Sequence, residues 1–136
     1  MYFSRKFSAS VLAILTALAA SQIGASPVLA ASLEGSWSGG GYVQPNLGKR
    51  ERVRCRVSFN RQGAKVFGVS ATCASASTTI RQTGQLLMVN PRRYIGDFYN
   101  SQYDISGRVR VTFHGSRLSV TFSSANGGGQ LSLRRR

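Results

Sequence analysis

The segment Lys49–Phe59 (KRERVRCRVSF) constrains the fold more than any other part of the chain. Because side chains alternate across a β-strand, one face of this segment is basic and the other is mostly apolar. The basic face carries Arg50, Arg52, Arg54 and Arg56, and the opposite face carries Glu51, Val53, Cys55, Val57 and Phe59. The alternation predicts a half-buried strand of an antiparallel sheet whose outer surface carries four positive charges.

The first 30 residues have the composition of a secretory signal peptide. Arg5 and Lys6 precede the apolar run Val11–Ala20, and Val28-Leu29-Ala30 supplies side chains typical of a cleavage site. The apolar run is too short for a stop-transfer helix, although an uncleaved N-terminal anchor is the alternative. We therefore expect a cleaved signal peptide over 1–30 and a single domain over 31–136. We also expect a periplasmic or secreted location, with no transmembrane span after cleavage.

The charge of the chain indicates an anionic partner. The sequence contains 18 Lys and Arg against 4 Asp and Glu, a formal charge of +14, and only two of the basic residues lie in the signal segment. Such a surface attracts anionic lipid, lipopolysaccharide, acidic polysaccharide, nucleic acid or an acidic protein. Four tyrosines are candidates for stacking on bases, but export argues against nucleic acid: Tyr42, Tyr94, Tyr99 and Tyr103. The alternative is that the charge only maintains solubility and adhesion to the envelope.

Cys55 and Cys73 are the only cysteines, and an exported protein meets an oxidising environment. We predict a Cys55–Cys73 disulfide; a metal site that adds His114 is the weaker alternative. A hairpin turn at Asn60–Gly63, however, places Cys55 opposite residues 68–70. Bridged Cα atoms must lie within about 7 Å, so either a bulge shifts the register or Cys73 leaves the strand. We favour the second, with Cys73 folding back.

A second hairpin is predicted by both its turn and its pattern. Ile105–Phe113 and Arg117–Phe122 flank Gly115-Ser116, a two-residue turn of the II′ kind. Pairing around it matches apolar residues in three pairs and leaves Arg108 and Arg110 on the outer face: Phe113 with Leu118, Val111 with Val120, and Val109 with Phe122. Beyond it we expect a Gly-rich turn over Ser124–Gly129, a last strand over Gln130–Leu133 and a charged tail, Arg134–Arg136.

The complete pattern predicts about eight short antiparallel strands, with turns every 8–12 residues and no convincing helix after the signal segment. The fold class is therefore all-β: a small antiparallel barrel or sandwich with one disulfide. A barrel of this size is just filled by side chains or holds one small ligand.

The chain offers little for catalysis. His114 is the single histidine and lies at a turn, and Asp97 and Asp104 suit turn or arginine-pairing roles better than a carboxylate pair. The glycine runs lack the lysine and following helix of a phosphate-binding loop. We therefore expect a protein that is not an enzyme and that carries no cofactor and no metal.

The order of Gly35-Ser36-Trp37, Cys55-Arg56-Val57 and Cys73, followed by alternating strands and a basic C-terminus, resembles one known family. It is similar to the bacterial periplasmic metalloprotease inhibitors and their outer-membrane lipoprotein relatives, which are lipocalin-like barrels of eight strands. The resemblance implies an up-and-down barrel in which Trp37 closes one end and Arg134 or a neighbour stacks on it. The chain also looks like small exported alphaproteobacterial proteins of uncharacterised function.

Two functions follow as hypotheses. The leading one is binding of an anionic envelope component, such as anionic lipid, lipopolysaccharide or acidic polysaccharide, through Arg50, Arg52, Arg54, Arg56, Arg108 and Arg110. The alternative, implied by the resemblance, is inhibition of a periplasmic protease whose cleft is entered by the segment Ala31, Ser32, Leu33 and Glu34.

Overall fold

Eight antiparallel strands follow one another around a closed barrel in the computed structural model, which describes residues 32–136. The strands are β1 (Gly35–Pro45), β2 (Glu51–Arg61), β3 (Val66–Ala74), β4 (Thr79–Asn90), β5 (Arg93–Asn100), β6 (Ile105–His114), β7 (Arg117–Ser124) and β8 (Gly127–Arg135). Each strand pairs with its neighbours in sequence, and β8 pairs with β1, so the sheet has no free edge. The predicted all-β, up-and-down barrel is confirmed, whereas the predicted signal peptide lies outside the described residues.

The alternation predicted for β2 is present along the whole strand. Val53, Cys55, Val57 and Phe59 are buried, and the arginines between them are exposed. The same alternation in the other strands builds a single core inside the barrel. The outward positions of adjacent strands therefore form one continuous surface around it.

Trp37 closes the end of the barrel at which β1 begins, which we call the closed end. Its ring is fully buried, its Nε1 donates to the Leu33 carbonyl at 2.9 Å, and Phe113 meets it edge-on with ring centroids 5.9 Å apart. The Arg135 guanidinium lies over the ring, 4.3 Å from its centroid. The plug by Trp37 and a stacked arginine, which the resemblance implied, are both observed.

The predicted charged tail at Arg134–Arg136 is wrong, because β8 continues to Arg135. Leu131 and Leu133 point into the core, so alternation places Arg135 at the rim of the closed end. There the long side chain reaches over Trp37 instead of extending into solvent. The arginine therefore belongs to the plug.

Cys55 and Cys73 stand directly opposite each other on β2 and β3 and form the predicted disulfide. The expectation that Cys73 leaves the strand is wrong, because the preceding turn is longer than predicted. Arg61 pairs with Phe67, and the Gln62 amide donates to the Val66 carbonyl at 2.8 Å, so the turn is centred on Ala64. That shift brings the two cysteines into register without a bulge.

The glycine-rich segments are strand, not turn. A Cβ on Gly41 would lie 1.8 Å from the carbonyl oxygen of Gln130, so glycine there allows β8 to approach β1. The turn predicted over Ser124–Gly129 is present but shorter, over Ala125 and Asn126, because Gly127–Gly129 pair with both β7 and β1. The β6–β7 hairpin, in contrast, has the three predicted apolar pairs, and Gly115 has the positive φ of +70° that its turn requires.

Candidate anion-binding surface and barrel interior

The six arginines predicted to bind an anionic partner do not form one surface. Arg52, Arg54 and Arg56 point outward from β2, whereas Arg108 and Arg110 point outward from β6. These strands are four positions apart in either direction around the barrel, so the two groups lie on opposite sides.

Arg50 precedes the first residue of β2 and is held by the end of β1. Its guanidinium stacks over the Tyr42 ring at 3.9 Å, and its Nε donates to the Gln44 Oε1 at 3.3 Å. This arginine is therefore fixed near the open end, the end opposite Trp37, by a cation–π contact.

Barrel closure adds arginines from other strands to those of β2. Directly paired outward residues form a transverse row across six strands, in the order Arg117, Arg134, Ser38, Arg56, Thr72 and Arg81. Neighbours in such a row lie about 5 Å apart on the same side of the sheet. We call the surface around this row the basic face; its arginines are Arg52, Arg54, Arg56, Arg81, Arg117, Arg134 and Arg136.

The basic face contains a shallow groove, because small side chains lie between its long arginine side chains. The groove has a volume of about 380 Å³ and is lined by Ser38, Gly39, Arg54, Cys55, Arg56, Thr72, Ala74 and Arg136. No carboxylate contributes to this lining. Guanidinium groups around a concave surface are suited to bidentate binding of phosphate, sulfate or carboxylate groups.

The four acidic residues have partners elsewhere. The Glu34 Oε1 accepts from the Arg61 amide at 3.1 Å, and the Glu51 Oε1 accepts from the Ser77 hydroxyl at 3.0 Å. Asp97 lies directly opposite Arg108, on β5. Asp104 accepts a hydrogen bond from the Tyr99 hydroxyl at 3.1 Å, which raises the pKa of that tyrosine. Asp97 therefore offsets part of the β6 charge, but none of the four contributes an outward side chain to the transverse row.

The segment proposed for protease inhibition packs against the closed end. Leu33 is fully buried, and Arg135 donates from Nη1 to the Glu34 carbonyl at 2.9 Å and from Nη2 to the Ser32 carbonyl. Ala31 lies outside the described residues. Residues 32–34 are therefore fastened to the barrel by the same arginine that stacks on Trp37.

Two of the four tyrosines proposed for base stacking are occupied by other contacts. Tyr94 is buried in the core, so the expectation that it is available is wrong, and Tyr42 is covered by Arg50. Tyr99 and Tyr103 remain exposed near the open end.

The barrel interior contains an apolar cavity of about 60 Å³ towards the open end. Its walls include Val43, Ala71, Cys73, Val109 and Phe122, each only half-buried although it points inward. Gln82 contributes the one polar side chain that points into it from β4. The volume is several times the 10–15 Å³ or so that a single water needs, and an apolar cavity of this kind stays dry or takes an apolar ligand.

The described residues offer no cluster of three or more His, Cys, Asp and Glu that could hold a metal ion. The two cysteines of the alternative metal site are consumed by the disulfide. Over residues 32–136 there is also no helix long and apolar enough to cross a membrane.

No protein-family model matches the chain, and no curated protein matches it. The fold is similar to solved barrels. A redesigned β-barrel, mFAP1, bound to DFHBI, has a TM-score of 0.63 and 12% identity over 76% of this chain and 94% of that one. A de novo designed fluorescence-activating β-barrel has a TM-score of 0.59 and 14% identity over 76% and 93% of the two chains.

Rv2717c from M. tuberculosis gives a TM-score of 0.57 and 13% identity over 76% of this chain and 92% of that one. At these identities the likeness shows the fold alone. The chain is thus similar in architecture to small antiparallel barrels.

Proposed function

We propose that this protein binds an anionic component of the bacterial envelope through the basic face and carries out no catalysis. The observation that carries the proposal is the transverse row, in which four arginines from four strands share one surface with only Ser38 and Thr72 between them. Aligned guanidinium groups repel one another, and an anionic partner relieves that repulsion.

The spacing of the arginines favours a partner with repeated anionic groups. Arg56 and Arg81 stand two strands apart, as do Arg134 and Arg56, which corresponds to roughly 10 Å between attachment points. Lipopolysaccharide and acidic polysaccharides present phosphate or carboxylate groups repeatedly along one molecule. An extended polyanion therefore engages several arginines at once, which raises affinity without a deep pocket.

Reversal of two charges on the basic face tests the proposal. We expect Arg54→Glu combined with Arg56→Glu to weaken binding to lipopolysaccharide and to dextran sulfate by at least about tenfold, because an attractive pair becomes repulsive at the centre of the surface. Isothermal titration calorimetry of the purified protein measures the effect.

The matched control is Arg108→Glu combined with Arg110→Glu, which changes the net charge equally on the opposite side of the barrel. We expect this control to weaken binding to dextran sulfate, which has no apolar phase, by less than about threefold, through the long-range field alone. Equal losses in both variants would show that net charge and not the basic face determines binding. Unchanged binding in both would leave a protease as the partner to test next, although inhibition through residues 32–34 requires Leu33 to leave the core.

The apolar cavity favours a second candidate function, the binding of a small uncharged apolar group inside the barrel. The barrel mFAP1, which has a similar fold, is bound to the small molecule DFHBI. The cavity of about 60 Å³ suits a short alkyl chain or a single ring and not a large dye.

Filling the cavity tests this candidate. We expect benzene to shift the NMR signals of the methyl groups around the cavity, and Ala71→Leu to abolish those shifts because its added atoms occupy the space. Ser70→Leu adds the same side chain to the outer face of β3 and should leave the shifts intact. Benzene shifts that persist unchanged in Ala71→Leu would contradict the assignment.

A further inference from the structure

An amphipathic surface lies on β4 and β5, nearer the closed end than Arg81, the arginine that β4 contributes to the basic face. Three aliphatic side chains stand in contact with solvent on β4 and β5: Leu87 at 55%, Val89 at 55% and Ile95 at 43% exposure. Leu87 and Ile95 are directly paired across the two strands, so they form a patch and are not scattered singly.

The patch is flanked by cations. Ile95 pairs with Arg110 on its other side, and Arg93 occupies the next outward position of β5. A groove of about 580 Å³ continues the surface over β5, β6 and β7, lined by Leu87, Ile95, Gly96, Asp97, Arg108, Val109, Arg110, Thr121 and Ser123. We call the surface formed by Leu87, Val89, Ile95, Arg93 and Arg110 the amphipathic face.

We propose that the amphipathic face docks onto an anionic phospholipid bilayer. Its aliphatic side chains enter the boundary between headgroups and acyl chains while the guanidinium groups stay at the level of the lipid phosphates. Each basic residue near an anionic membrane surface adds an electrostatic attraction that weakens as the salt concentration rises. Burial of the aliphatic side chains adds a contribution to membrane binding that does not weaken with salt.

Charge complementarity selects a lipid surface over a second copy of this chain. A symmetric dimer through the same patch brings Arg93 and Arg110 of one copy near those of the other, and these like charges repel. Asp97 is the single acidic residue lining the adjoining groove, so little negative charge offsets that repulsion. A bilayer of anionic lipid offers phosphate to every arginine and an apolar phase to every aliphatic side chain. The proposal is independent of the basic face, which carries no exposed aliphatic patch of this kind and suits a soluble polyanion.

Co-sedimentation with vesicles of phosphatidylglycerol and phosphatidylethanolamine, at low and high salt, tests the docking. We expect Leu87→Ser combined with Ile95→Ser to lower partitioning at high salt by at least about tenfold, because two inserted side chains are lost. Leu47→Ser combined with Tyr103→Ser removes two exposed apolar side chains from the open-end loops and should leave partitioning unchanged. A loss in the control equal to that in the patch variant would overturn the assignment.

A tryptophan at the patch gives a readout that does not depend on affinity. Ile95→Trp adds one exposed indole, while Trp37 is buried and provides a constant background. Brominated acyl chains should quench Ile95→Trp on the vesicles and should not quench Ser132→Trp, which stands outward on β8. Quenching of Ser132→Trp instead would show that the basic face meets the membrane.

The two proposals fail separately. Dextran sulfate contains no apolar phase, so its binding should be unaffected by the Leu87 and Ile95 substitutions and should report only on the basic face. Loss of dextran sulfate binding in the patch variant would show that the aliphatic side chains support the structure and do not insert.

Discussion

Replacement of Trp37 by alanine is expected to lower the free energy of unfolding by about 3–5 kcal/mol, the range for removing a large buried aromatic side chain. The effect should lie at the upper end because Trp37 connects three parts of the closed end. Its ring contacts Phe113 and Arg135, and its Nε1 holds the Leu33 carbonyl. Loss of the plug therefore also releases residues 32–34.

Urea denaturation followed by circular dichroism measures this prediction. The control is Tyr103→Ala, which removes an exposed aromatic from a loop and should change stability by no more than about 0.5 kcal/mol. Trp37→Phe should give an intermediate loss, because it keeps an aromatic ring for Arg135 but has no donor for Leu33. A loss below 1 kcal/mol or so for Trp37→Ala would contradict the role of the plug.

Removal of the disulfide, by Cys55→Ala combined with Cys73→Ala, is expected to lower the free energy of unfolding by about 3 kcal/mol. The bridge closes a loop with a sequence separation of 18 and restricts the unfolded chain most strongly between β2 and β3. Dithiothreitol should lower the melting temperature of the wild-type protein to that of the double variant and leave the variant unchanged. A wild-type melting temperature that is insensitive to reductant would contradict the bridge.

Local pattern was sufficient for those parts of the fold in which a short turn fixes the register. Gly115-Ser116 admits only one pairing of β6 with β7, and the apolar residues agree with it, so all three predicted pairs are observed. The β2 alternation is equally clear, because Arg54 and Arg56 each lie between two core residues. In both regions a shift of register by one residue would move the apolar side chains to the outer face, so the sequence pattern specifies the register.

Longer turns and contacts between residues far apart in the sequence could not be predicted from the local sequence pattern. The turn between β2 and β3 contains Gly63, which suggests a tight hairpin, but the pairing of Arg61 with Phe67 centres the turn on Ala64. The directly opposed Cys55 and Cys73 were themselves a signal for that register. Local pattern places Arg135 in a charged tail, because its partner Trp37 is separated from it by nearly the whole barrel sequence. Only the family resemblance implied an arginine on Trp37.

The candidate sites show the same limit. The β2 arginines follow from alternation, but the addition of Arg81, Arg117 and Arg134 depends on the registers of five strand pairs and on closure of β8 against β1. The separation of Arg108 and Arg110 from the β2 group likewise depends on strand order around a closed barrel. Strand alternation alone gives the direction of a side chain and not its neighbours on other strands.

Titration of the purified protein with lipopolysaccharide and dextran sulfate over a series of salt concentrations tests the proposed function most directly. If the basic face binds the polyanion, affinity should fall steeply as salt rises, and Arg54→Glu combined with Arg56→Glu should flatten that dependence more than the matched Arg108 and Arg110 reversal. An affinity that does not change with salt, or a salt dependence that both variants share equally, would contradict the basic face as the binding surface.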